Sequence, residues 1–105
     1  MSEVTLTVRL RAKGAQAAEL EAVLRSAVGP SHADGHCLRY AVHRSSQDHN
    51  VYLLIERWTS QAALDRHLAQ PFLREMLAKA GELAEPATVE AFEMITEGDP
   101  HKLLW

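Results

Sequence analysis

The stretch Val51–Trp58 constrains this chain more than any other. It reads Val-Tyr-Leu-Leu-Ile-Glu-Arg-Trp, rich in β-branched and aromatic residues and apolar at both alternating sets of positions. Val51, Leu53 and Ile55 point one way, whereas Tyr52, Leu54 and Trp58 point the other. A strand that is apolar on both faces belongs at the centre of a sheet covered on both sides. The fold must therefore supply a cover for each face.

The flanking patterns supply one of the two covers. Val4, Leu6, Val8 and Leu10 alternate with Thr5, Thr7, Arg9 and Arg11, the signature of a half-buried strand. Lys13-Gly14 turns the chain, and Leu20, Val23, Leu24, Ala27 and Val28 mark one apolar face of a helix from about Ala15 to Val28. Gly29-Pro30 is expected to stop it, and Ser31–Gly35 to form a turn. A second strand spans about His36 to Arg44, and the polar Ser45–Asn50 connects it to the central strand. Thr59 or Ser60 can cap a following helix, which Pro71 interrupts. A second piece carries Leu73, Met76, Leu77 and Ala80 on one face and is expected to end at Gly81. Val89, Ala91, Phe92, Met94 and Ile95 predict a last strand, and Gly98–Trp105 a C-terminal extension.

The order is thus βαββαβ, an α+β, ferredoxin-like plan with a four-stranded antiparallel sheet in one domain over residues 1–105. Two helices cover only one face of such a sheet. A second copy of the same sheet is the simplest cover for the other, so a homodimer is expected. The apolar Leu103-Leu104-Trp105 is expected to pack on the partner or over a pocket mouth.

Charge and composition exclude several classes. A net charge of −3 with scattered basic residues gives no electrostatic footprint for nucleic acid. No apolar run reaches the ~18–20 residues that span a bilayer. The start Met-Ser-Glu-Val-Thr lacks the features of a signal peptide, and Cys37 is a lone cysteine, so a cytoplasmic setting is expected. Six histidines raise the question of a metal, but no Cys-x-x-Cys or His-Glu-x-x-His accompanies them, and His32 and His36 flank a turn. No metal site is expected. Glycine-rich phosphate and dinucleotide fingerprints are absent too, so no cofactor is expected.

Several features together resemble the antibiotic biosynthesis monooxygenase superfamily. They are the Lys13-Gly14 turn, Asp34-Gly-His-Cys-Leu-Arg-Tyr40 opening the second strand, the Glu56-Arg-Trp58 strand end, the Ala62-Ala-Leu-Asp-Arg-His67-Leu helix, and Pro71-Phe72. The resemblance covers about Val4 to Thr96 and implies a dimeric α/β barrel. It implies a cofactor-independent monooxygenase acting with O₂ on a small aromatic phenol or quinol. Haem degradation, another activity of the superfamily, is rejected because the positions that would serve it read Thr7, His67 and Leu77.

The resemblance places a histidine beside the pocket, here His67, whose imidazole can take a proton near neutral pH. The contrary reading is a histidine that merely packs its helix. Trp58 can stack on a planar ring or fill the core; Tyr40 shares that ambiguity, with a phenol able to orient a substrate oxygen. Phe72 is expected to line the space under the second helix. Asn50 can touch a substrate carbonyl or serve as a turn residue. Glu56 shares a face with Tyr52 and Trp58 and is expected to pair with Arg39 or Arg9. Cys37 is expected to be a buried thiol. Two rivals to oxygenation stand: a non-catalytic dimer that binds a hydrophobic metabolite, and an isomerase or lyase acting on a small oxygenated one.

Overall fold

A computed structural model describes residues 2–103. The central strand forms over its predicted span: β1 (Val4–Arg11), β2 (Cys37–Arg44), β3 (Val51–Trp58) and β4 (Thr88–Phe92) make one antiparallel sheet in the order β2-β3-β1-β4. β3 lies between β1 and β2, in the ferredoxin-like arrangement expected from the sequence. Gly14, at φ +46°, makes the turn after β1, a conformation that residues with a Cβ rarely adopt.

The first helical region differs from its prediction. α1 covers Ala17–Ser26, and a separate short helix, α2, covers Val28–His32 with Gly29-Pro30 inside it. Proline is tolerated there because an N–H in the first turn of a helix has no intrahelical acceptor anyway. Ser31 and His32 are consequently helical rather than part of a turn.

After β3, Ser60 caps α3 (Gln61–Leu68) by accepting a hydrogen bond from the Ala63 N–H at 3.1 Å, a contact that stabilises by about 1 kcal/mol. Gln70 is extended and Pro71 occupies the first turn of α4 (Pro71–Leu83), so proline opens the new helix as it closes the old. Gly81 does not end α4; it lies within the helix, which runs on to Leu83. Leu73, Met76 and Ala80 are buried, while Leu77 stays 46% exposed.

The last strand is shorter than predicted. β4 pairs with β1 from Arg9↔Thr88 to Thr5↔Phe92, and β1 begins at Val4, so Met94 and Ile95 lie beyond its reach. Beyond it Pro100–Lys102 make one 3₁₀ turn; Leu104 and Trp105, part of the apolar tail, lie outside the described residues. Leu6, Leu10, Tyr52, Leu54 and Trp58 of the sheet pack with Leu20 and Leu24 of α1, Leu64 of α3 and Leu73 of α4 in one core. Among the described residues the opposite sheet face carries no helix, and Phe92 is 46% exposed there beside a groove lined by Thr5, Thr7 and Ile55. Among the described residues no helix is long and apolar enough to cross a membrane.

Candidate active site

Helical spacing puts Ala63, Leu64 and His67 on the buried face of α3, and strand alternation puts Tyr52, Leu54, Glu56 and Trp58 on the face of β3 beneath it. Two ionisable groups thereby enter one apolar layer. Glu56 is 3% exposed and His67 2%. Both line a cavity of about 350 Å³ between sheet and helices, walled by Leu6, Leu54, Leu73 and Met76. Leu68, Leu77 and Val89, each substantially exposed, also border it.

Around His67 stand three aromatic rings. Trp58 lies tilted against the imidazole at a centroid distance of 4.3 Å, Tyr40 meets it edge-on at 5.6 Å, and Phe72 does so at 6.0 Å. Proline at the start of α4 fixes the turn that brings Phe72 there. The indole Nε1–H of Trp58 donates to Glu56 Oε1 at 3.0 Å. His67 Nε2 stands 3.9 Å from the same oxygen, too far for a hydrogen bond, and it is buried without a hydrogen-bond partner.

Burial governs the protonation of both groups. It pushes the Glu56 carboxyl up to about 7, against the Trp58 hydrogen bond that favours the anion. Burial also lowers His67 below its usual value, with the Asp34 charge acting the other way, so the neutral imidazole predominates at pH 7. The Tyr40 hydroxyl is held neutral by burial and by the nearby Glu56; Ser31 opposes that shift without forming a regular hydrogen bond. Among the described residues no group of three His, Cys, Asp or Glu side chains is placed to hold a metal ion.

The structure brings four of the five sequence candidates together, in different roles. His67 borders the cavity; Trp58, Tyr40 and Phe72 form the shell behind it. Asn50 lies apart, in the turn before β3, where its N–H donates to Asp48 Oδ1 and its carbonyl accepts from Ala12. Six residue steps along extended strand, ~20 Å, separate it from Glu56.

Glu56 is the residue whose environment differs most from its sequence reading, for it has no arginine partner. Tyr40 sits opposite Glu56 across the β2–β3 pair, so Arg39 belongs to the other face, as Arg9 does by alternation with Leu10. The missed signal was parity alone: a carboxylate in step with Tyr52 and Trp58 cannot reach cations one residue out of step.

The profile of the family described as antibiotic biosynthesis monooxygenase matches residues 3–79. An uncharacterised protein of the cyanobacterium Synechocystis is 25% identical over 92 residues; the match spans 87% of this chain but only 63% of the length of that relative. Rv0793 of Mycobacterium tuberculosis is 29% identical over 97 residues, 91% of this chain and 95% of its own. The structure of Rv0793 superposes with a TM-score of 0.86. A variant of SnoaB, a cofactor-independent oxygenase from Streptomyces nogalater, superposes with a TM-score of 0.80 at 26% identity, covering 95% of this chain and 99% of that one. The chain belongs to the antibiotic biosynthesis monooxygenase family.

Proposed function

We propose that this protein is a cofactor-independent monooxygenase acting on a small aromatic phenol or quinol. The observation that carries the reading is a pair of buried ionisable groups, Glu56 and His67, on the wall of an otherwise apolar cavity. An apolar wall accepts a planar ring, and the polar pair meets its hydroxyl. Loss of the hydroxyl proton leaves an anion that can pass an electron to O₂. The substrate supplies every electron: one oxygen atom enters the organic product and the other leaves as water. A positioned proton acceptor accelerates such a step by roughly 10²–10⁴-fold. The name of SnoaB, a cofactor-independent oxygenase of similar structure, supports the class of reaction.

The proposed unit is a homodimer built on the open sheet face. Ile55 and Phe92 line an apolar groove there, and none of the described residues covers it. One face of such a sheet is comparable in size with the ~800 Å² per partner of a standard interface. Ile55→Lys is expected to give monomers in analytical ultracentrifugation; an unchanged dimer would place the interface elsewhere.

Oxygen uptake by the purified protein with a panel of quinols and anthrone-like phenols tests the activity. The expected result is uptake that falls at least 100-fold in His67→Ala. Tight binding of a panel member without uptake would favour the non-catalytic binding protein. Conversion without O₂ would favour an isomerase or lyase.

A further inference from the structure

We propose that the two cavity groups divide the proton transfer between them: Glu56 takes the proton of a ligand hydroxyl, and His67 holds the resulting oxyanion through its Nε2–H. The inference rests on the reading above for its ligand class, a neutral aromatic hydroxyl compound, and assigns the base to Glu56 rather than to the histidine.

Geometry carries the assignment. Glu56 Oε1 and His67 Nε2 lie 3.9 Å apart on the wall of one cavity. A ligand oxygen about 2.8 Å from both would see them at an angle of roughly 90°. One hydroxyl can therefore donate to the first and accept from the second. Nε2 is buried and lacks any hydrogen-bond partner, as an atom awaiting a ligand would. The neighbouring carboxylate favours the tautomer protonated at Nε2. A lone pair on Nε2 would face the carboxylate oxygen, acceptor against acceptor, whereas an N–H there faces it favourably. With its proton on Nε2, the neutral imidazole has no lone pair at that atom with which to act as base.

Trp58 completes the arrangement as a positioning residue. Its indole N–H holds Glu56 Oε1, and its ring packs on His67, so one side chain sets both partners. The remaining ionisable groups nearby do not compete. Cys37 and Tyr40, on β2, are both held in the neutral form by burial. Asp34 acts on His67 only through its charge, against the larger effect of burial, and no lysine or arginine lines the cavity. In the step, the ligand O–H bond breaks, its proton goes to the carboxylate, and its electron pair stays on the ligand oxygen. The raised affinity of Glu56 for protons supports this direction of transfer near neutral pH.

The experiment uses 2-naphthol, whose ionised form has its own absorption band, with the full-length protein at pH 8.5. Wild type is expected to bind and ionise the probe, gaining the infrared C=O band of a protonated carboxyl, identified by ¹³C-glutamate labelling. Glu56→Gln is expected to bind the probe un-ionised. His67→Gln is expected to bind the ionised form about 10-fold or more weakly. Trp58→Phe, which keeps a ring but removes the donor, is expected to shift the pH of half-ionisation upward. Ionisation that persists in Glu56→Gln, absence of the carboxyl band in wild type, or failure of the probe to bind would overturn the assignment. Ionised probe without oxygen uptake from any quinol would instead sink the monooxygenase reading and leave Glu56 as the proton acceptor.

Discussion

Two glutamates mark opposite ends of the inward-facing row of β3, and each accepts a hydrogen bond from an aromatic side chain of that row. Glu21, on α1, accepts from the Tyr52 hydroxyl at 3.1 Å; Glu56 accepts from the Trp58 indole at 3.0 Å. Their protonation moves in opposite directions. Arg25, four residues along α1, and Arg44, at the end of β2, reach Glu21 at 2.9 and 2.8 Å, and its carboxyl is held below the ordinary range by the Arg25 and Tyr52 hydrogen bonds. Glu56 has no cation and is enclosed, so burial raises it. An aromatic hydrogen bond is common to both ends. What differs is access to water and to arginine, and that difference turns one carboxylate into a surface clasp and the other into a proton acceptor.

Removing the aromatic partner should expose the contrast most strongly. Trp58→Ala is expected to lose about 3–5 kcal/mol in urea unfolding, since a fully buried indole leaves a cavity beside His67 and Glu56. Tyr52→Phe keeps the ring and loses only the hydroxyl contacts to Glu21 and the Ala17 carbonyl, so about 1 kcal/mol is expected. Equal losses in the two variants would erase the distinction between the ends.

The next effect is the pH dependence of stability. The folded value of Glu56, about 7, lies above its unfolded value of 4.5, so the folded state binds the extra proton between them. Stability from this group is fully present below 4.5 and is lost as pH rises through 7. Glu56→Gln should therefore gain on wild type as pH rises across that window, by roughly 1–3 kcal/mol at pH 8. His67 has the opposite sense: its value is lowered, so its contribution is present above 6.5 and is lost as pH falls through the folded value. His67→Gln should then lose least, relative to wild type, at low pH. Thermal unfolding of the three proteins from pH 4 to 8.5 checks both signs.

The smallest effect belongs to Glu21. Its lowered value makes its contribution present above the unfolded 4.5 and lost as pH falls through the folded value. Glu21→Gln should differ from wild type only above that acid range, and the difference should shrink in added salt, because the Arg25 and Arg44 partners are largely exposed. A difference that survives 1 M salt would show that this end is as enclosed as the other.

The elements were largely legible in the sequence because each is set by local periodicity. β3 begins and ends where its apolar run does, Ser60 caps α3 as its position suggested, and Pro71 separates α3 from α4. Gly and Pro are unreliable stop signals here because position within the helix matters more. Pro30 sits in a first turn that loses no hydrogen bond, and Gly81 lies within a helix whose buried neighbour Ala80 keeps α4 on the core. The length of β4 was not legible, since a strand ends where its partner β1 does.

By itself the sequence determined the order of elements, the two-faced character of β3 and the inward direction of Glu56, Trp58 and His67, because alternation and helical spacing are properties of neighbouring residues. Only the tertiary structure decided that Glu56 would face a histidine rather than an arginine. That outcome depends on the β2–β3 register, which sends Arg39 to the far face, and on the docking of α3 over β3, which seats His67 3.9 Å from the carboxyl. The proton affinity of a buried group is set by whatever chain segments enclose it, and those segments, β1, β3, α3 and α4, come from distant parts of the sequence.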